Sequence, residues 1–291
     1  MSDRVLILGG TGMLGHEAIS RFTPHFEVHA SVRDPELAAQ YELPATLHAF
    51  DAYEPQALTE LLDVVDPAVV LNCIGIVKQL EDASRPLPAI TLNSLFPHQL
   101  AAMCEHKGCR LIHVSTDCVF SGRLPLGQSY REENEADARD LYGLSKLLGE
   151  VQEPSLTVRT SIIGWELERA SGLLAWFAGQ EGKEVSGYRK AIFSGLTTRA
   201  LSDVLVEVAQ SYPALAGVYH VAAEPIDKFE LLTMMRDRLD LDCTIRPVDE
   251  PTVNRALDPS RFRAATAIEA PVWDQMLDDY LTARERDEAT A

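Results

Sequence analysis

The stretch Val5-Leu6-Ile7-Leu8-Gly9-Gly10-Thr11-Gly12-Met13-Leu14-Gly15 decides the fold of this chain. Four apolar residues ended abruptly by glycine read as a short, fully buried parallel strand. The residues from Met13 to Phe22 then read as a helix, so the glycines occupy a strand-to-helix turn. In Gly9-x-x-Gly12-x-x-Gly15 each glycine has a task. The first makes the tight turn, the second lets backbone approach a pyrophosphate, and the third lets helix and strand pack closely. The helix N-terminus adds its dipole and free N–H groups. A purely structural turn is the competing reading, but this context favours a dinucleotide held by Gly9, Thr11, Gly12, Met13, Leu14 and Gly15.

Outward from the turn, strands alternate with helices. Strands are expected at Phe26–Val32, Leu47–Phe50, Val69–Ile74, Arg110–Ser115 and Leu156–Ile163, and helices at Pro55–Val65, Leu92–His106 and Tyr142–Val151. That alternation predicts an α/β fold of Rossmann type, a doubly wound parallel sheet with its ligand cleft at the carboxyl ends of the strands. Residues 1–164 form the expected dinucleotide-binding domain. A helix at Ala200–Ser211 and a strand at Gly217–Val221 return residues 199–223 to it. Residues 165–198 and 224–291 remain as a small C-terminal substrate lobe, its charged, Ala-rich end from Thr282 frayed.

The formal charge of −18 argues against nucleic acid and anionic membrane as partners. No apolar stretch is long enough to span a bilayer, and Met1-Ser2-Asp3-Arg4 leads into a strand without a secretory signal, which predicts a cytoplasmic protein. Cys73, Cys104, Cys109, Cys118 and Cys243 are odd in number and form no CxxC, as suits a reducing compartment. No His/Cys/Asp cluster has metal-site spacing, so no metal is expected.

Cofactor selectivity is read at the end of the second strand, Ala30-Ser31-Val32-Arg33. An NAD enzyme would place a carboxylate there for the ribose 2′-hydroxyl. Ser31 and Arg33 instead suit a 2′-phosphate. NADPH is therefore the expected cofactor and NADH the alternative, since Asp34 serves as the carboxylate if the strand ends later and Arg33 is then a solvated loop charge. Asp51 with Ala52 after the third strand, and Cys73-Ile74-Gly75 after the fourth, would line the adenine and the cofactor's middle.

Reducing a carbonyl needs a proton as well as a hydride. Tyr142-Gly143-Leu144-Ser145-Lys146 places a phenol and an ammonium four residues apart, on one helix face. A lysine so placed lowers the phenol's ordinary pKa of about 10. Thr116, at the tip of the fifth strand, is positioned to hold the carbonyl oxygen. Tyr-x-x-x-Lys alone is common on exposed helices; with Ser115-Thr116 before it and a dinucleotide turn in the same domain it reads as chemistry.

The order Gly9-x-x-Gly12-x-x-Gly15, Ser115-Thr116-Asp117-Cys118-Val119-Phe120-Ser121-Gly122 and Tyr142-x-x-x-Lys146 resembles the extended short-chain dehydrogenase/reductases. Within them the chain is most similar to the dTDP-4-dehydrorhamnose reductases and related sugar-nucleotide reductases. The resemblance covers most of the chain and is specific in its first two-thirds. It implies Thr116, Tyr142 and Lys146 as the catalytic set, Lys146 also on the cofactor ribose, and Val158-Arg159-Thr160-Ser161 beside the nicotinamide. Related 4,6-dehydratases resemble Thr-Asp-Glu where this chain has Thr116-Asp117-Cys118. A thiol of ordinary pKa, about 8.5, replaces a carboxylate poorly, so dehydration is disfavoured.

Asn254-Arg255-Ala256-Leu257-Asp258-Pro259-Ser260-Arg261 resembles a substrate segment of these reductases. Arg255 and Arg261, with Lys78, Thr116, Asp117 and Arg199, are the substrate candidates, although each arginine taken singly is as often a packing residue. Trp165, Trp176 or Trp273 would serve to stack on a base. The implied activity is NADPH-dependent reduction of a nucleotide-linked 4-keto-6-deoxy sugar, and the resemblance allows a homodimer. The alternative is an idle NADP-binding regulatory subunit resembling the β subunit of methionine adenosyltransferase.

Overall fold

The structure, a computed structural model, describes residues 3–77, 84–167 and 172–290, the side chains of Pro55 and of 282 onward excepted. The strands in chain order are β1 (Arg4–Leu8), β2 (Glu27–Val32), β3 (Thr46–Ala49), β4 (Val69–Asn72), β5 (Arg110–Val114), β6 (Leu156–Arg159), β7 (Ile162–Ile163), β8 (Glu184–Tyr188), β9 (Ala191–Phe193), β10 (Leu196–Thr197), β11 (Gly217–His220), β12 (Ile226–Asp227), β13 (Thr244–Val248) and β14 (Val253–Asn254). Seven of them form one parallel sheet in the order β11-β6-β5-β4-β1-β2-β3. β1 pairs with β2 on one side (Ile7 opposite Ala30) and β4 on the other (Ile7 opposite Leu71). The winding reverses there, so Gly9 and Cys73, which follow β1 and β4, flank the crevice where such sheets bind ligands.

The helices are α1 (Gly15–Phe22), α2 (Pro35–Ala38), α3 (Pro55–Val65), α4 (Pro86–Ile90), α5 (Phe96–Lys107), α6 (Leu141–Leu148), α7 (Leu173–Ala178), α8 (Thr198–Ser211), α9 (Lys228–Arg238), α10 (Ser260–Thr266) and α11 (Trp273–Thr290). Alternate residues of β1 serve opposite faces of the sheet. Val5 and Ile7 bury against Ile19 and Phe22 of α1 and Leu201 and Leu205 of α8, while Leu6 and Leu8 bury against Leu58 and Leu62 of α3 and Phe96 and Leu100 of α5. Each such side chain contributes roughly 1.5–3 kcal/mol when fully buried. The first core continues into Leu231, Met235, Trp273 and Leu277, joining the last third of the chain to the sheet.

Two expected elements are broken for physical reasons. The helix expected over Leu92–His106 starts in a π-helical turn at Thr91–Leu95 and continues as α5, with α4 preceding it. Pro97 has no N–H for the Asn93 carbonyl, and the Phe96 N–H reaches back to Thr91 instead. The strand expected over Leu156–Ile163 stops at Arg159. Ser161 then accepts from Leu196 N–H (2.9 Å), and β7 pairs with β10 outside the main sheet. β11 adds to the edge of β6, and α8 lies on the same face as α1. Two further small sheets, β12-β9-β14 and β13-β8, stand beside it.

Candidate active site

The turn after β1 is held by its own backbone and by β2. Gly9 has φ +84°, Gly12 N–H donates to the Gly9 carbonyl (3.0 Å), and Gly10 N–H donates to that of Ser31 (2.8 Å). A Cβ on Gly15 would lie 2.0 Å from the Gly9 carbonyl oxygen, which is why the third glycine closes the turn. Gly15→Ala is accordingly expected to destabilise the protein by at least about 2 kcal/mol in urea unfolding, and a change under about 0.5 kcal/mol would mean that the turn relaxes. α1 opens at Leu14 with no side-chain cap, whereas α2, α6, α8 and α9 are capped by Asp34, Asp140, Thr197 and Asp227. No side chain competes with an anion there, as a dinucleotide phosphate requires, although His16 N–H already donates to the Gly12 carbonyl (3.2 Å). Met13 extends toward Gly164 and Gly172, whose Cβ positions lie 3.1 and 2.9 Å from its side chain.

At the end of β2 the two residues read together part company. Ser31 is buried, and its hydroxyl accepts from Gly9 N–H (3.1 Å), so it braces the turn instead of facing a phosphate. Arg33 is exposed and forms no ion pair or side-chain hydrogen bond among the described residues. Asp34 is committed to capping α2, accepting from the N–H groups of Glu36 (3.0 Å) and Leu37 (3.1 Å). Asp51 is exposed after β3 and accepts from Tyr53 N–H (2.9 Å), with Ala52 half-buried beside it. After β4, Asn72 accepts from Ile74 N–H (3.0 Å) and bonds His113 (3.1 Å), fixing the backbone of Cys73, Ile74 and Gly75.

Thr116, Tyr142 and Lys146 come together at the carboxyl ends of β4 and β5. The Thr116 hydroxyl lies near the Tyr142 phenol, donates to Asp117 Oδ1 (3.3 Å) and accepts from Cys118 N–H (3.1 Å). Lys146 is buried and donates to the Val114 carbonyl (2.8 Å); a Cβ on Gly75 would lie 3.7 Å from its Nζ. Burial, with Cys118 and Asp117 nearby, raises the Tyr142 phenol, and the neighbouring Thr116 hydroxyl opposes this. The phenol is raised instead of lowered as the spacing to Lys146 led one to expect, and it stands protonated at neutral pH, the state a proton donor needs. Burial pushes Lys146 down to about 8, against the pull of Glu150 and Cys73. Cys118 is pushed up to about 12 by burial and then by Asp117, so it is a neutral thiol beside the phenol.

Sequence reasoning missed the side chains that hold this set. Asn93, in the π-helical turn, accepts from Ile76 N–H (2.8 Å) and donates to the Ile76 carbonyl and the Ser145 hydroxyl (both 3.1 Å), tying α6 to the segment after β4. Gly149 allows this contact, since a Cβ there would meet the Asn93 carbonyl at 1.8 Å. Glu150 and Arg159 form a buried ion pair behind Thr116. The spacing from Lys146 to Glu150 was the available signal for one of them.

The substrate candidates are dispersed. Asp117 is buried beside Thr116, its N–H on the Thr160 carbonyl (3.0 Å). Arg255 donates to the carbonyls of Phe120 (2.9 Å) and Ser121 (3.4 Å) and lies near Cys118. Asn254 beside it donates to the carbonyls of Pro125 and Gln128 (both 2.8 Å), so this segment clamps the loop after Phe120. Arg261 stacks over Tyr219 (4.6 Å) and donates to the Val218 carbonyl (3.2 Å). Arg199 pairs with Glu17 (2.7 Å) in a groove of about 520 Å³ between α8 and α11, away from Thr116 and Tyr142. Lys78 lies outside the described residues. Trp273 donates to the Glu224 carbonyl (2.9 Å), Trp176 lies under Lys228 (5.0 Å), and the Trp165 N–H of the backbone donates to the Tyr280 hydroxyl (2.8 Å). Among the described residues no group of His, Cys, Asp or Glu is placed to hold a metal, and no helix is long and apolar enough to cross a membrane.

Residues 3–285 match the model of the RmlD substrate binding domain family. The chain belongs to that family. It is 27% identical to the probable low-salt glycan biosynthesis reductase Agl14 of Haloferax volcanii, over 75% of this chain and 74% of that one. It is also 27% identical to methionine adenosyltransferase 2 subunit beta of Xenopus tropicalis, over 85% of this chain and 76% of that one. Among solved structures it resembles dTDP-4-dehydrorhamnose reductase of Bacillus anthracis in complex with NADP, at TM-score 0.81 and 20% identity, over 97% of this chain and 100% of that one. That likeness bears on the fold, and the Rossmann-type sheet expected from the sequence is the one observed.

Proposed function

We propose that this chain reduces the keto group of a nucleotide-activated 4-keto-6-deoxy sugar with NADPH. It is an oxidoreductase of the sugar-nucleotide reductase group, and the observation that carries the reading is the convergence of Thr116, the Tyr142 phenol and a buried Lys146, held on the Val114 carbonyl, at the ends of the strands. The uncapped N-terminus of α1 and the glycine turn fit the pyrophosphate. The cofactor, when bound, supplies the hydride for the carbonyl carbon. Thr116 holds the carbonyl oxygen, Tyr142 gives it a proton, and the Lys146 ammonium balances the phenolate left behind and would hold the cofactor ribose. Arg255, held beside Cys118, is the arginine best suited to the substrate's diphosphate.

A free Arg33 beside an engaged Asp34 supports NADPH over NADH. Arg33→Ala is expected to weaken NADPH by about tenfold, the scale of one charge-assisted contact, while leaving NADH within about twofold. Equal weakening of both cofactors in fluorescence titrations would remove the phosphate assignment.

The function is tested by following NADPH oxidation against dTDP-, UDP- and GDP-linked 4-keto-6-deoxy sugars. Turnover of one identifies the substrate. The likeness to a methionine adenosyltransferase subunit supports a second reading, a regulatory NADP-binding subunit without turnover. Tight NADPH binding with no oxidation on any sugar would favour it, against the Thr116–Tyr142–Lys146 set.

A further inference from the structure

Behind the catalytic hydroxyls lies a charged pair that the reduction derived above does not use. Glu150, four residues beyond Lys146 and just past the end of α6, is 8% exposed. Its Oε1 accepts from the Ser115 hydroxyl (2.8 Å) and from Arg159 Nε (2.8 Å), and its Oε2 from the other arm of Arg159 (2.7 Å). Arg159 is 7% exposed, lies over the Phe120 ring (5.3 Å) and approaches His220 Nε2 (3.4 Å). Taking two charges out of water offsets most of their attraction, so an apolar pair would hold this place at least as well. The pair therefore needs a role besides stability.

Its position supplies one. Ser115 precedes Thr116 at the end of β5, Glu150 follows the helix that carries Tyr142 and Lys146, and Arg159 ends β6, whose next residue, Thr160, accepts from Asp117 N–H (3.0 Å). The charged and titratable groups that face Lys146 are Glu150, Cys73 after β4 and His113 on β5. Burial pushes the Cys73 thiol up to about 12 and His113 well below its ordinary range, so both are neutral near pH 7. Glu150 is left as the anion of this set.

We propose that Glu150, clamped by Arg159 and by Ser115 next to the Val114 carbonyl that holds Lys146, is a positioning residue that supplies the negative charge beside Lys146 and locks the ends of β5 and α6 together. Its effect on turnover rests on the reductase reading; its effect on Lys146 does not.

The test uses the full chain without any substrate. The stability difference between the protein and its Lys146→Met variant is followed by urea unfolding across pH, first with Glu150 and then with Glu150→Gln. The pH at which that difference starts to change reports the Lys146 titration, expected near 8 with Glu150 present. With Glu150→Gln it is expected about one pH unit lower. Should Glu150→Gln fail to fold because Arg159 loses its partner, the double variant Glu150→Gln, Arg159→Met removes both buried charges and carries the same measurement. An unmoved midpoint in the variant that folds overturns the proposal. The second readout is the alkaline limb of kcat with NADPH and the keto sugar, expected to move down with the midpoint while the rate near pH 6 stays within about threefold. A uniform loss of turnover at every pH with the midpoint unmoved marks a merely structural pair. If the unaltered protein reduces no keto sugar, the proposed function fails, and the midpoint still judges Glu150.

Discussion

Replacing Tyr142 by phenylalanine is expected to lower kcat for keto-sugar reduction by about three orders of magnitude, the scale of a positioned general acid. The substitution removes one hydroxyl and leaves the ring. Thr116 keeps its bonds to Asp117 and to Cys118 N–H, so the tip of β5 has no reason to move. Lys146 keeps its bond to the Val114 carbonyl. NADPH affinity should therefore stay within about threefold, and the loss should fall in kcat and kcat/KM alike, as for a group acting in the transition state. Stopped-flow or steady-state NADPH oxidation reads the rate, and fluorescence titration reads binding. A kcat within about tenfold of the parent would remove Tyr142 as the proton donor and leave water or the Cys118 thiol to be tested in its place.

Much of this site is legible in the sequence because its parts are local. The Gly9–Gly15 turn and the Tyr142–Lys146 spacing are each set by a few neighbouring residues, and the strands before them end where glycine or a polar residue interrupts an apolar run. What escaped reading depends on pairs distant in sequence. Ser31 looks like a phosphate ligand on its own, but pairing of β2 with β1 turns its hydroxyl under Gly9. Glu150 is paired only when Arg159, nine residues on and in another strand, closes on it. Arg199 and Arg261 are indistinguishable from diphosphate ligands by type; one meets Glu17 from α1 and the other the Tyr219 ring. The π-helical turn at Asn93 had a local cause in Pro97, but its use as a brace for α6 needed Ser145 and Gly149 to arrive opposite.

Lys146→Met is expected to make the protein more stable and nearly inactive, and the pH dependence of that gain identifies its cause. An ordinary lysine titrates near 10.5; burial pushes Lys146 down to about 8, with Glu150 holding it from falling further. Below pH 8 the folded and unfolded chains both carry the proton, and the folded chain bears the full burden of a buried ammonium. Between about 8 and 10.5 the folded chain has released a proton that the unfolded chain still binds, so stability rises with pH across that window. The spread corresponds to about 3 kcal/mol at neutral pH. Methionine fills a similar volume without a charge to desolvate, and gives up the bond to the Val114 carbonyl, about 1 kcal/mol. A net gain of about 1–2 kcal/mol at pH 7 is expected, vanishing as the pH approaches the unfolded lysine's own titration. Turnover should fall by at least about two orders of magnitude, because the phenolate of Tyr142 loses the cation beside it. Urea unfolding at pH 7 and again at high pH, on parent and variant, decides the matter. A variant less stable than the parent at pH 7 would mean that the Val114 bond and the Glu150 attraction outweigh burial, and that Lys146 is held by folding as much as by chemistry.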